Sequence, residues 1–184
     1  MNTSPVLVVI DVQDGFHNPS WGPSNNPECE TNIRSLLDAW RAKGLPVVLV
    51  RHDSVSPGST LRPDESGNRL QDGIDGPHDL FITKSVNSAF YGEPNLQEWL
   101  QAHEYSKLVI CGITTNFCCE TTARMAGNLG YDVDFVLDAT RAFDMVDLDG
   151  HTIAADQVAR MTAANLDGEF AHVVSTTTVL ASIA

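Results

Sequence analysis

Short runs of apolar residues, many of them β-branched, alternate along this chain with longer stretches in which apolar positions recur at helical spacing. A short continuous apolar run is typical of a strand that is buried on both faces of a sheet. Such runs predict six strands, at 5–10, 47–50, 80–82, 107–111, 133–137 and 171–174. The amphipathic stretches predict helices at 32–43, 96–103, 118–130, 151–166 and 177–183.

Strand and helix follow each other in turn through most of the chain, so we predict the α/β fold class. This alternation implies a mainly parallel sheet with helices on both faces. No repeat, charge run or linker divides the sequence, and 184 residues suit one domain with a sizeable core. We therefore predict a single three-layer domain over 1–184. The stretch 54–77 is rich in Ser, Gly, Pro and Asp, and we expect this long loop to help shape a pocket.

The composition narrows the classes of function. A formal net charge of −13 argues against binding to nucleic acid or to anionic membranes through bulk electrostatics. No apolar run is long enough to span a bilayer, and the first residues lack the basic segment of a secretory signal, so we expect a cytoplasmic protein without membrane partners. The four cysteines are too few and too irregularly spaced for a disulfide framework, which favours reduced thiols.

The segment 109–122 concentrates the candidate chemistry. It has the pattern of a buried strand, a tight turn at Gly112 and the start of a helix that carries Cys118 and Cys119. A cysteine in the first turn of a helix has its thiolate stabilised by unpaired N–H groups, and the same groups can hold a developing oxyanion. The alternative is that both cysteines are small, inert side chains packed beneath a helix.

Two further polar residues follow predicted strands: Asp11 comes after the first and Lys84 after the third. Ligands of such sheets bind outside the carboxyl ends of the strands, where the strand order reverses. If the first and fourth strands are neighbours, Asp11 and Cys118 face one crevice. Lys84 can then reach in from the next strand and favour a thiolate. Taken singly, such an Asp is more often a cap and such a Lys a solvated charge, and spacing alone does not give the strand order.

Three segments carry a family resemblance. Residues 11–16 (DVQDGF) match a D-x-Q-x-x-F pattern, residues 84–90 (KSVNSAF) match K-x-x-x-S-A-F, and residues 112–118 (GITTNFC) match G-x-x-T-x-x-C. Residues 130–133 and 138–139 resemble the G-Y-x-V and D-A that follow. With these motifs in the same order, the chain resembles the isochorismatase-like cysteine hydrolases, relatives of nicotinamidase and N-carbamoylsarcosine amidohydrolase, over essentially its whole length.

The resemblance implies a Rossmann-like sheet with the strand order 3-2-1-4-5-6, which makes the first and fourth strands neighbours. It also implies a catalytic triad of Asp11, Lys84 and Cys118. The family commonly has a cis peptide in the nucleophile turn. Here that bond falls at Ile113–Thr114, where it would aim the N–H groups of Thr114 and Cys118 at one oxyanion.

The function that the resemblance implies is hydrolysis of a C–N bond in a small amide, carbamoyl compound or lactam. Cys118 would attack the carbonyl carbon to form a thioester, and Asp11 would protonate the departing amine and then activate water. True isochorismatases hydrolyse a vinyl ether and generally lack the cysteine. Two alternatives stay open: isochorismatase-type ether hydrolysis, and a non-catalytic protein that binds small molecules or uses its thiols for redox chemistry.

Two positions depart from the family pattern. Valine usually follows the nucleophile, where this chain has Cys119, which we interpret as a packing residue. Nicotinamidases bind a metal through a D-x-H…H cluster after the second strand. Here that region contains His52, and the next histidine is His78. We therefore predict no catalytic metal and no cofactor, and we interpret His52 as a hydrogen-bonding loop residue.

Substrate contacts are predicted for aromatic and amide side chains near the motifs, namely Phe16, Trp21, Asn87, Phe90, Tyr91 and Asn116. Arg141 is a further candidate, which would bind a substrate carboxylate. The expected partners are a small amide or ureido substrate and, by the resemblance, further copies of the chain in a dimer or tetramer.

Overall fold

The computed structural model describes residue 2 and residues 4–184, so that Met1 and Thr3 of the predicted domain lie outside the described residues. The strands are β1 (Val6–Ile10), β2 (Val47–His52), β3 (Leu80–Lys84), β4 (Lys107–Ile113), β5 (Asp132–Arg141), β6 (Met145–Val146), β7 (Thr152–Ile153) and β8 (His172–Val174). Six of them form one parallel sheet in the order β3-β2-β1-β4-β5-β8, and β6 and β7 form a separate antiparallel hairpin.

Helices cover both faces of the sheet. They are α1 (Cys29–Lys43), α2 (Leu96–Ala102), α3 (Glu120–Asn128), α4 (Ala155–Leu166) and α5 (Thr176–Ser182). Successive side chains of a strand point to opposite faces, and β1 therefore feeds two cores. Its residues 6, 8 and 10 pack with α2 and α3, whereas residues 7 and 9 pack with α1 and α5. Among the described residues, no helix combines the length and the apolar character needed to cross a membrane.

The predicted α/β class, the three layers and the strand order are confirmed. The sixth strand of the sheet is the eighth of the chain because the β6–β7 hairpin intervenes. Strand ends differ from the prediction, which stopped where the apolar run stopped. The ladder continues into polar residues, and His52 pairs with Lys84 as Ile113 pairs with Arg141. Both His52 and Lys84 are therefore strand residues, held by the sheet.

Two helices begin later in the chain than predicted. The helix predicted to begin at 118 is α3, which begins at Glu120. The residues before it, Thr115–Cys119, form a π-helical turn. The predicted helix from 151 begins at Ala155, since Thr152 and Ile153 pair with β6 and the Asp144 carboxylate accepts the Ala155 N–H at 2.8 Å. The cysteine of interest thus lies in the tight turn between β4 and α3.

Gly112 brings the ends of β1 and β4 close together. It pairs with Ile10 across the two strands, and its φ is 133°. A Cβ at this position would overlap the carbonyl oxygen of Ile10, so only glycine fits. This close approach positions the residue after β1, Asp11, beside the turn that follows β4.

Candidate active site

Asp11 directly follows β1 in a left-handed backbone conformation. Its φ of 52° is uncommon for a non-glycine residue, although aspartate tolerates it better than most. Its N–H donates to the carbonyl of Val50 at 2.9 Å, which continues the pairing with β2 beyond the strand. The side chain is fully buried, and Oδ1 has no hydrogen-bond partner among the described residues. A buried carboxylate of this kind needs a compensating charge.

Lys84, at the end of β3, supplies that charge. Its Nζ lies 2.6 Å from Oδ2 of Asp11 and 3.4 Å from Sγ of Cys118. It also lies 3.2 Å from Nδ1 of His52. An ammonium has three N–H donors, so each donor has one acceptor here. The lysine is only 3% exposed. The structure thus brings Asp11, Lys84 and Cys118, hereafter the triad, into mutual contact.

Cys118 lies in the π-helical turn with 8% of its surface exposed, so it is the member of the triad that solvent reaches most. Its Sγ lies 3.8 Å from the amide oxygen of Asn87. A carboxylate oxygen of Asp11 is within 4.8 Å of Sγ. Asp11 is therefore placed to exchange a proton with the thiol.

Burial dominates the ionisation of these groups. It raises the pKa of Asp11, although the charge of Lys84 opposes the shift. Burial also raises the pKa of the Cys118 thiol, and the nearby Asp11 raises it further, against the opposing charge of Lys84. The pKa of Lys84 is lowered by burial but raised more strongly by Asp11 and Cys118, so the net shift is upward. Lys84 therefore acts in the predicted direction, towards a thiolate, against the opposing effects of burial and of Asp11.

The triad lies beneath a pocket of about 230 Å³. The walls of the pocket come from four parts of the chain: the segment after β1, the end of β2 with the long loop that follows it, the segment after β3 and the turn after β4. Its lining residues are Phe16, Trp21, His52, Ser54, Ser56, Ser59, Leu61, Asn87, Thr114, Phe117 and Cys118. Phe16 and Trp21 are packed together with ring centroids 4.7 Å apart, which gives the pocket a rigid aromatic wall.

Three of the predicted substrate contacts, Phe16, Trp21 and Asn87, line this pocket, and three others lie outside it. Phe90 is buried in the core and stacks on Tyr131 at 6.0 Å, because the short helical turn that carries it faces the sheet. Tyr91 is 69% exposed on the far side of that turn. The Asn116 side chain contacts the sulfur of Met145 in the β6–β7 hairpin, at 3.2 Å.

Arg141 is not available for a substrate carboxylate. It is buried, and both of its terminal nitrogens contact the carboxylate of Glu30, with Nη2 2.6 Å from Oε2. Nη2 also donates to the carbonyl of Asn26 at 3.2 Å. This bidentate pair ties the end of β5 to α1, so the residue has a structural partner that sequence spacing did not reveal.

The peptide bond between Ile113 and Thr114 is cis. Thr114 lines the pocket beside Cys118, whereas Ile113 is buried in the core. Cys119 is fully buried and packs among apolar residues in the same core cluster as Cys118. Burial raises the pKa of this second thiol as well.

Two clusters offer atoms that metals bind. Asp11, His52 and Cys118 each present one ligand atom, and these atoms lie within 4.8 Å of one another. The Lys84 ammonium already lies within hydrogen-bond distance of all three residues, so this cluster binds a cation of the chain itself. The second cluster is at the exposed tip of the β6–β7 hairpin and consists of Asp147, Asp149 and His151; there, Oδ1 of Asp147 accepts backbone N–H groups of the other two.

With this geometry in place, a family model described as Isochorismatase domain matches residues 5–177. The chain belongs to the isochorismatase family. It is 39% identical over 178 residues to the isochorismatase family protein YrdC of Bacillus subtilis, covering 96% of this chain and 94% of that protein. It is 31% identical to Nicotinamidase 3 of Arabidopsis thaliana, covering 75% of this chain and 73% of the other. This membership makes the chain an enzyme.

The fold matches a solved structure of the isochorismatase family as well. The structure of an isochorismatase-family protein from Chromobacterium violaceum superposes with a TM-score of 0.92 at 41% sequence identity. The match covers 98% of this chain and 93% of the other.

Sequence reasoning missed part of the pocket wall of this isochorismatase-family enzyme. Phe117 is 43% exposed beside Cys118, and its position one residue before that cysteine was a usable signal. Ser54, Ser56 and Ser59 come from the long loop, which was expected to shape the pocket without any indication of which residues would do so. His52 differs from its interpretation as a loop residue, because it ends β2 and contacts the ammonium of Lys84.

Proposed function

We propose that this enzyme hydrolyses a C–N bond of a small, uncharged amide or ureido compound, with Cys118 as the nucleophile. The observation that supports the proposal most is the position of the Lys84 ammonium, within hydrogen-bond distance of both the Asp11 carboxylate and the Cys118 thiol. The similarity to a protein named as a nicotinamidase, whose name denotes amide hydrolysis, supports the same reaction class.

In the proposed acylation step, Sγ of Cys118 attacks the carbonyl carbon while Asp11 accepts the thiol proton. The raised pKa of Asp11 makes it a stronger base than an exposed aspartate, which suits this transfer. The carbonyl oxygen becomes an oxyanion, for which the backbone N–H groups of Thr114 and Cys118 are the proposed donors. When the C–N bond breaks, Asp11 returns the proton to the leaving nitrogen and a thioester remains.

In the proposed second step, Asp11 takes a proton from water as the water attacks the thioester. The carboxylic acid leaves, and the proton returns to Sγ of Cys118. Lys84 keeps its charge throughout, since its pKa is raised by its two partners. Its role is to stabilise the ionised forms of Asp11 and Cys118 as each appears.

The lining of the pocket supports an uncharged substrate. Among the described residues that form the wall, none carries a formal charge, since Asp11 and Lys84 lie beneath Cys118 and pair with each other. A carboxylate or an ammonium on the substrate would lose its hydration without gaining a partner, which is costly. The aromatic wall and the three serines suit a small, flat molecule with polar edges.

A panel of small primary amides, carbamoyl compounds and lactams, assayed for release of ammonia or carboxylate, tests the proposal. We expect turnover of at least one uncharged member and an acyl adduct on Cys118 in the mass spectrum after an acid quench. Cys118→Ala should reduce turnover to the uncatalysed background, because among the described residues no other cysteine lines the pocket. Cys119→Ala is the matched control and should retain activity. Full activity of Cys118→Ala on a substrate that the wild type hydrolyses would overturn the proposal.

A further inference from the structure

We propose that His52 is a positioning residue, whose Nδ1 accepts one N–H of Lys84 and so directs the other two N–H groups at the remaining members of the triad. This inference rests on the proposed function for its catalytic meaning. The contact itself is a distance of 3.2 Å between Nζ and Nδ1. Without that acceptor, a nearly fully buried ammonium would have one N–H unsatisfied, which is costly for a charged donor.

The backbone of His52 is held in place by a buried side chain from the segment that follows β1. Gln13 is fully buried, and its Oε1 accepts the His52 N–H at 2.9 Å while its Nε2 donates to the His52 carbonyl at 3.0 Å. The Nδ2 of Asn68 donates to the same carbonyl at 3.2 Å. In effect, the Gln13 amide continues the β1–β2 ladder after Asp11 has turned away. The imidazole therefore starts from a rigid base, next to Lys84 on the neighbouring strand.

The contact with Lys84 also fixes the tautomer of the ring. A charged lysine can only donate, so Nδ1 must be the unprotonated nitrogen and Nε2 carries the proton. The charged groups that face the ring are Lys84, Asp11 and Asp53, and the last is itself paired with Arg51. Burial and the charge of Lys84 lower the pKa of His52 more than the two carboxylates raise it. The ring thus stays neutral and keeps its acceptor.

Two variants with nearly the same shape distinguish the loss of the hydrogen-bond acceptor from the loss of packing. The Oδ1 of His52→Asn stands close to where Nδ1 was, whereas His52→Leu has the same branching and no acceptor. The probe is iodoacetamide, and the readout is the rate of alkylation at Cys118 as a function of pH, measured by peptide mass spectrometry. Alkylation needs no substrate, so this readout is independent of the amide panel. His172→Leu, on the exposed end of β8, controls for the loss of a histidine.

We expect His52→Leu to slow alkylation of Cys118 by about tenfold or more near neutral pH and to move its midpoint to higher pH, because the ammonium no longer points at the sulfur. His52→Asn should recover most of the wild-type rate and profile. If Cys118 of His52→Leu is alkylated at the wild-type rate, or if both variants slow alkylation equally, the proposal is overturned. If the amide panel fails while this pattern holds, the proposed function is wrong and the assignment of His52 stands.

A second measurement needs no variant. In the ¹⁵N-labelled wild-type protein, two-bond ¹H–¹⁵N correlations report which ring nitrogen carries the proton. We expect the Nε2–H form of His52 from about pH 7 to 8.5, since its pKa is lowered from the ordinary value near 6.5. A ring protonated on Nδ1 in this range cannot accept from Lys84, and that result would contradict the proposal.

Discussion

At the scale of single residues, Asp11 and Lys84 depend on each other to different degrees. Lysine can lose its partner and release a proton to become neutral. Asp11 can become neutral only by binding a proton, which the surrounding burial already favours. The cost of removing Lys84 should therefore depend on pH through the ionisation of Asp11.

Replacing Lys84 by Met should strengthen the pH dependence of stability that Asp11 confers, because burial already raises the pKa of this carboxyl in the wild type and the variant loses the opposing charge of Lys84. The folded pKa of Asp11 lies above its unfolded value near 4, so the unfolded state binds fewer protons between these two values. The variant should therefore be most stable below about pH 4 and lose stability as pH rises through the folded pKa. Breaking a buried pair in this way costs about 3–5 kcal/mol once the carboxylate is ionised.

Urea unfolding at pH 5 and pH 8 measures this loss. The double variant Lys84→Met with Asp11→Asn is the control, since a neutral amide removes the titrating group and should remove the pH-dependent part of the loss. A Lys84→Met protein that loses the same free energy of unfolding at both pH values, with no gain from the second substitution, would contradict the prediction.

At the scale of elements, the close approach of β1 and β4 at Gly112 determines where the triad can form. Two variants of the same type separate the cost of the backbone angle from the cost of the contact. Gly112→Ala places a methyl group against the carbonyl of Ile10 at a φ of 133°. Gly130→Ala places one at a φ of 88° with no heavy atom within 4 Å.

We expect Gly130→Ala to lower the free energy of unfolding by about 1 kcal/mol, the cost of a left-handed backbone alone. Gly112→Ala should cost at least about 2 kcal/mol more, because β1 and β4 must separate to admit the methyl group. Denaturant titration of both variants measures the difference. If the two variants lose the same free energy of unfolding, the methyl group at 112 does not force β1 and β4 apart and the prediction is wrong.

The elements also show how far the sequence predicts this site. The order of the strands followed from a family resemblance, since spacing alone could not place the first strand beside the fourth. The contact of Asp11, Lys84 and Cys118 then follows from the carboxyl ends of adjacent strands. The ionisation of Cys118 was not predictable, because it depends on burial and on its distance from Asp11, and neither quantity is readable from a motif.

The contacts of individual polar and aromatic side chains were less predictable than the strands and helices. Phe90 ends a matching motif and Tyr91 follows it, but the orientation of the short helical turn that carries them decides that neither lines the pocket. The pairing of Arg141 with Glu30 joins positions 111 residues apart. A homo-oligomer, which the resemblance implies, stays a prediction that sedimentation can measure.

At the scale of the whole molecule, the formal net charge of −13 disfavours anionic substrates, as the uncharged pocket wall also does. An acidic surface repels anions over about one Debye length, roughly 10 Å at 0.1 M salt. The surface and the pocket wall should therefore both discriminate against carboxylate-bearing substrates, the first in a salt-dependent manner and the second not.

We expect an uncharged amide to be hydrolysed with a kcat/KM that is nearly independent of ionic strength. An amide of similar size that bears a carboxylate should be at least about tenfold poorer and should improve as salt rises, because the surface repulsion is screened. Steady-state kinetics between about 0.02 and 0.5 M salt compare the two. A carboxylate-bearing amide that is preferred, and that loses activity with salt, would contradict the prediction and indicate a cationic subsite.

The long loop after β2 has a consequence for how this enzyme can change over evolutionary time. It contributes Ser54, Ser56, Ser59 and Leu61 to the pocket wall, whereas the groups proposed to react lie at strand ends and in the turn after β4. Substitutions in the loop can therefore alter which molecules are admitted without moving the atoms that react. The same separation makes the loop the natural target for redirecting the enzyme, with a library confined to 54–61 leaving its chemistry intact.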